Sequence, residues 1–276
     1  MKYLAAVDLS EASLLALDAL RAFAGQEGGD VTLLHVVDLD LYTAGGSIPG
    51  IMEFAKERLT QESVRLSDCG LRITAIRVEQ GDSTQTILRV AAEEKSDLVV
   101  MTNLGKGART GRLFGSTAER VATSGAIPVL IERVGVAEGD SENCCRLVEG
   151  SPFERTLVAV DLADDPGAIL SRLWTLPGVG TARIVHVAEN DTAAADARVR
   201  LGDLTAAAPE GARLESDVLV GDPATAIVQD AAAWRATAIA LRPCTHGALH
   251  RAFWGSVARA VALNANCSIL FTPTGD

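Results

Sequence analysis

Fifteen residues in the first half of the chain, Thr102-Asn-Leu-Gly-Lys-Gly-Ala-Arg-Thr-Gly-Arg-Leu-Phe-Gly-Ser116, have the composition of an anion-binding loop. Glycines at 105, 107, 111 and 115 let backbone N–H groups come close to phosphate oxygens. Lys106, Arg109 and Arg112 add three positive charges, and no carboxylate falls within the window. Ser116 and Thr117 place two hydroxyls where a helix is expected to open, at the positive end of its dipole. The whole chain has 36 acidic against 25 basic residues, a net charge of −11, so a local cluster of this sign marks a place for an anion. Ser116 with Glu119 three positions later also spells a capping box, in which the serine hydroxyl satisfies helix N–H groups. That role is compatible with a phosphate contact.

Other chemistry-bearing residues form weaker patterns. Cys244-x-His246-x3-His250 has metal-ligand residue types, and its two histidines could share a helix face, but no fourth ligand accompanies them. His35 and His186 lie in apolar runs without partners at metal-ligand spacing and are read as packed, neutral side chains. Five cysteines, an odd number, suggest the scattered thiols of a reducing compartment, with the adjacent Cys144 and Cys145 a solvated pair. The chain has no nucleophile elbow, no Gly-Lys-Ser/Thr phosphate loop, no His-Glu-x-x-His and no paired carboxylates at acid/base spacing. No catalytic residue is assigned, and any nucleotide hydrolysis is expected to be slow.

The elements that must position the loop repeat along the chain. Short apolar runs at Leu4–Val7, Val31–Val37, Ile73–Val78, Leu98–Met101 and Pro128–Ile131 alternate with stretches of helical period, a β-α-β-α-β-α-β-α-β order. The second half answers the first: Leu157-Val-Ala-Val-Asp161 matches Leu4-Ala-Ala-Val-Asp8, and Val185-His-Val187 matches Leu34-His-Val36. Gly221-Asp222 matches Gly81-Asp82, and Trp254-Gly-Ser256 matches Phe114-Gly-Ser116. From histidine to glycine the chain runs 46 residues in copy one (35 to 81) and 35 in copy two (186 to 221), so copy two is 11 shorter there. The segment it lacks corresponds to the region of Tyr42–Gly50, read as a loop that could close over the site. Asp82, Asp165 before Pro166 and Asp222 before Pro223 signal helix starts.

The expected architecture is α/β: two tandem doubly wound domains, each a five-stranded parallel sheet with helices on both faces. Residues 1–134 form the domain with the candidate site, 135–154 a linker, and 155–276 the second domain. Such sheets take ligands outside the carboxyl ends of their strands, where the strand order reverses. With 48% hydrophobic but only 4% aromatic residues, the core is aliphatic. The net negative charge disfavours nucleic acid as a partner. No signal-length or membrane-spanning apolar run occurs, so a soluble cytoplasmic protein is expected.

The strand-end aspartate, the His-Val pair and the glycine-rich loop before Gly-Ser resemble the universal stress protein family, in both halves and apart from the linker. That resemblance implies five-stranded domains that pair as dimers, one class of which binds ATP through a G-x2-G-x9-G-[ST] loop. Gly105-x9-Gly115-Ser116 matches the second and third glycines and the hydroxyl residue. The first glycine is replaced by Thr102, a β-branched residue that adopts positive φ poorly and holds a ligand further away. By the same resemblance, Asp8 and Val36 face ribose and adenine, Met101 faces the base, and the ligand is ATP or AMP held by the first domain. In copy two the corresponding positions are Arg242, Thr245, Gly255 and Ser256, so the resemblance there speaks for the fold and against the ligand. The chain is expected to form a homodimer or an intramolecular pseudo-dimer. A scaffold protein in which both sites have decayed is the alternative, motivated by Thr102.

Overall fold

Five parallel strands of the first half carry its core: β1 (Lys2–Ala6), β2 (Gly29–Val37), β3 (Leu71–Gln80), β4 (Leu98–Thr102) and β5 (Val129–Glu132). They run in the order β3-β2-β1-β4-β5 in a computed structural model that describes residues 1–25, 27–38, 47–104, 114–136, 145–147, 151–242 and 255–273. β1 and β4 lie between other strands, and Leu4, Ala5, Leu98, Val99 and Val100 are wholly buried. This is why these strands read as continuous apolar runs and not as alternating ones. The helices α1 (Glu11–Ala24), α2 (Ile48–Ser67), α3 (Ser83–Glu93) and α4 (Ser116–Thr123) connect the strands. α1 buries Ala16, Leu17, Leu20 and Phe23, and the Phe23 ring meets Tyr3 edge-on at 5.9 Å.

The second half repeats this plan. β8 (Arg155–Ala159), β9 (Thr181–Ala188), β10 (Arg213–Val220), β11 (Ala238–Leu241) and β12 (Ser268–Phe271) run in the order β10-β9-β8-β11-β12, again all parallel. α5 (Pro166–Leu173), α6 (Asp191–Ala206), α7 (Pro223–Ala233) and α8 (Ser256–Asn264) connect them. The chain divides into two units, Met1–Val148 and Glu149–Asp276, each a doubly wound α/β domain.

The duplication extends to backbone detail. Gly81 and Gly221 both turn with positive φ, 144° and 133°, immediately before a capping aspartate. Gly29 and Gly180 both occupy a place with no room for a Cβ, which would lie 2.4 Å from the Tyr3 ring in one and 2.3 Å from the Glu154 carbonyl oxygen in the other. The expected caps form: Asp82 accepts from Gln85 N–H (2.8 Å), Asp165 from Gly167 N–H (2.9 Å) and Asp222 from Thr225 N–H (2.9 Å).

Two expectations need correction. Ile48–Gly50, read as loop, is the first turn of α2, with Ser47 at the N-cap and Pro49 where a missing N–H costs nothing. The stretch read as a linker contains an antiparallel pair, β6 (Val134–Val136) and β7 (Cys145–Leu147), with Val134 opposite Leu147. Strands of three residues are too short to show a period.

Candidate functional site

The strand order reverses between β1 and β4, so the crevice at their carboxyl ends is where the topology places a ligand. Asp8 stands just past β1. Its Oδ1 accepts from the Ser10 N–H (2.9 Å) and hydroxyl (2.5 Å), and its own N–H donates to Ser13 Oγ (3.2 Å). Ser10 in turn caps α1 by accepting from Ser13 N–H. Leu9, between them, has φ +64°, a left-handed conformation that costs a β-carbon residue about 1–2 kcal/mol. Asp8 therefore braces a strained turn at the mouth of the crevice, and strain of this kind concentrates at functional sites.

His35, 2% exposed on β2, reaches the end of β1. Its Nδ1 lies 2.8 Å from the Val7 carbonyl oxygen, which can only accept, so Nδ1 carries the ring proton. The next residue, Val36, is half-buried, and Met101 on β4 is buried. Both are apolar residues close to the carboxyl ends of their strands.

Thr102 ends β4 and pairs with Glu132 in the parallel ladder, so its backbone is extended and not left-handed. The expected penalty of a β-branched residue at positive φ does not arise. The Thr102 hydroxyl donates to the Leu104 carbonyl (2.7 Å) and shapes the first turn of the loop. Asn103 follows, 3% exposed. Its N–H donates to Glu132 O (3.1 Å), its carbonyl accepts from Gly115 N–H (2.9 Å), and its side-chain Oδ1 accepts from Val134 N–H (2.8 Å). The two ends of the glycine-rich loop are thereby held together.

Gly115 is the N-cap of α4, with φ −62° and ψ 138°, values open to any residue. A Cβ there would sit 3.4 Å from Asn103 O, an ordinary contact, so the fold itself accepts a side chain at this position. The capping box read from Ser116 and Glu119 is not formed. Ser116 is already the first helical residue, Glu119 N–H bonds to Gly115 O (2.9 Å), and no side chain caps the helix among the described residues. Among the described residues the amides of its first turn, like those of α2, have no side-chain acceptor of the kind that caps α1, α3, α5, α6 and α7. Ser116 is exposed and Thr117 half-buried beside them. Arg120 in α4 pairs with Asp82 at the start of α3 (3.4 Å). The Gln85 N–H first, and Arg120 after it, hold the Asp82 carboxyl below its ordinary pKa despite an opposing desolvation.

Gly105, Lys106 and Arg109, with Gly107, Gly111 and Arg112, lie outside the described residues, as do Tyr42–Gly46 and the Cys244, His246 and His250 pattern. Among the described residues no group of three or more His, Cys, Asp or Glu could hold a metal. No described helix is long and apolar enough to cross a membrane. Asn103 is the residue that motif reading missed, because a lone asparagine in a loop has no periodic signature. Its signal was the contrast with Pro243 at the matching place in copy two.

In the second unit, Asp161 accepts from Ala163 N–H (2.9 Å) and His186 Nδ1 lies 3.1 Å from Val160 O, as in the first. α8 also starts after a glycine, Gly255, without a side-chain cap. The difference is at the strand end, where Arg242 follows β11 with its Nε buried and without a hydrogen-bond partner among the described residues.

The family model described as "Universal stress protein family" matches residues 1–133 and again 148–273. A universal stress protein of Methanocaldococcus jannaschii is 29% identical over 151 residues, 47% of this chain and 93% of that protein. Another from the same organism is 32% identical over 132 residues, covering 45% and 76%. The crystal structure of a universal stress protein from Archaeoglobus fulgidus is similar in fold over 100% of this chain and 97% of its own, with a TM-score of 0.75 at 24% identity.

Proposed function

Because the chain belongs to the universal stress protein family, we propose that it is a cytoplasmic stress-response regulator whose first domain binds an adenine nucleotide, ATP or AMP. The observation that carries this reading is the start of α4, which has no side-chain cap among the described residues and is held against the end of β4 by the Gly115–Asn103 bond. Phosphates fit the amides of this turn and the hydroxyls of Ser116 and Thr117, with Gly105, Lys106 and Arg109 supplied by the loop between. Base and ribose fit Val36, Met101 and Asp8 at the neighbouring strand ends. The second domain serves as a partner to the first, in place of the second subunit of a family dimer, or the whole chain pairs with another copy. Thr102, the motive for reading both sites as decayed, is an ordinary strand residue whose hydroxyl supports the loop.

The test is to denature freshly purified protein, identify released small molecules, and titrate the emptied chain with ATP and AMP. Saturable binding of one nucleotide per chain is expected. No binding up to millimolar nucleotide would mean that the scaffold reading is the right one.

A further inference from the structure

Asn103 is bonded in three directions, and only one of them involves its side chain. Rotation of its backbone is limited by N–H to Glu132 O on β5 and by C=O from Gly115 N–H at the start of α4. The side-chain oxygen adds a third anchor at Val134 N–H, the first residue of β6, 31 positions along the chain. Leu104, next in sequence, packs with Val134, Ala12 and Leu15, so the same strand start also supports the loop through an apolar contact. Val134 is in turn fixed by its place opposite Leu147 in the β6–β7 pair.

We propose that Asn103 is a positioning residue for the nucleotide: its side chain splints the mouth of the glycine-rich loop to the β6–β7 hairpin and so sets where Gly115 and the first turn of α4 stand. This inference rests on the nucleotide reading above. The Asn103 side chain is buried and its Oδ1 is held by Val134 N–H, so the role assigned to this oxygen is exerted through Gly115. Donors that bind phosphate must be held to within about 0.5 Å, and a fixed second layer is what achieves this. If the side-chain anchor is lost, the Asn103 peptide can turn and carry its carbonyl away from Gly115. A proline, the residue at position 243 in the second copy, has neither the N–H nor the side-chain acceptor for two of these three bonds.

The full-length wild-type chain, Asn103→Ala, Val134→Pro and the double variant are titrated with ATP by calorimetry, with amide hydrogen exchange followed at Gly115 in the ligand-free proteins. Asn103→Ala is expected to weaken ATP about tenfold, the worth of one buried hydrogen bond. Exchange at Gly115 speeds up, and the double variant binds no more weakly than Val134→Pro alone, because both changes break the same link. Asn103→Asp, which keeps an Oδ1 acceptor at the same reach, is expected to keep exchange at Gly115 as slow as in wild type and serves if the alanine variant melts early. An Asn103→Ala chain that binds ATP within twofold of wild type, or losses that multiply in the double variant, would overturn the proposal. Failure of wild type to bind ATP defeats the nucleotide reading itself, and that result is seen before any variant is compared.

Discussion

After β4 the chain reads Thr102-Asn103-Leu104, and after β11 it reads Arg242-Pro243-Cys244. In the first unit the threonine hydroxyl and the asparagine amide fold the chain back on itself, and the loop ends meet at Gly115. The second unit has put a long cation and a proline in their place. Yet around these positions the units agree: a histidine bonded to the carbonyl ending the first strand, an aspartate bracing the next turn, a glycine before the fourth helix and no side-chain cap on it. Among the described residues the uncapped start of the fourth helix is thus common to both units. What differs between the units is the sequence at the strand end: a proline offers neither the N–H nor the side-chain acceptor with which Asn103 bonds Glu132 and Val134.

A second contrast lies in the cores. α3 buries Val90 completely, and the matching place on α7 is Asp230, which accepts from Arg183 at 3.1 Å. Burial pushes the Asp230 carboxyl up against the opposing pull of Arg183, with Asp217 adding to the rise. Arg183 also lies over Trp234 (5.2 Å), with Arg155 closer over the same ring (4.2 Å). The second unit builds this region from Arg183, Asp230 and the Trp234 ring, whereas the first keeps Val90 apolar and sets its ion pairs beside it, Arg77 with Glu79, Glu93 and Glu94. Pairs of this kind seldom add stability over apolar side chains of the same volume.

The sharpest way to break the comparison of sites is Gly115→Val against Gly255→Val. Gly115 has a φ any residue adopts, so the first variant should fold and still lose ATP by roughly a hundredfold or more, since branched carbon displaces phosphate from the amides. Gly255→Val should leave ATP affinity unchanged in calorimetry, and the reverse outcome would assign the ligand to the other copy. Asp8→Ala should cost about tenfold in ATP affinity by releasing the Leu9 turn, while Asp161→Ala costs none.

Asp230→Asn sharpens the second contrast. A carboxyl whose folded pKa is raised favours the native state most when protonated, so its contribution is present below the ordinary 3.8 and is lost as pH rises through the folded value. The melting temperature of wild type should therefore fall relative to Asp230→Asn as pH rises above about 4, then run parallel to it. A difference that stays constant with pH would remove Asp230 as its source. The smallest effect is expected at Asp82→Ala, about 1 kcal/mol of stability for a lost helix cap. Because the Asp82 pKa is lowered, that contribution is present above its ordinary 3.8 and disappears as pH falls through the folded value, which acid melts can follow. The matched Asp222 cap should show the same direction.

Much of this molecule is legible in its residues, for reasons that are local. Strands buried on both faces must be apolar throughout, so Leu98–Met101 announces itself, and a cap needs only a carboxylate two or three residues before an N–H, so Asp82, Asp165 and Asp222 do too. The duplication and the two doubly wound domains follow from such signals. Tertiary structure decided the rest. Whether Thr102 is strand or left-handed turn depends on pairing with Glu132, 30 residues on, and which residue caps α4 depends on where Asn103 holds Gly115. Asn103 itself acquires a role only when Val134 is brought to it, since a hydrogen bond between distant residues leaves no period or spacing in the sequence.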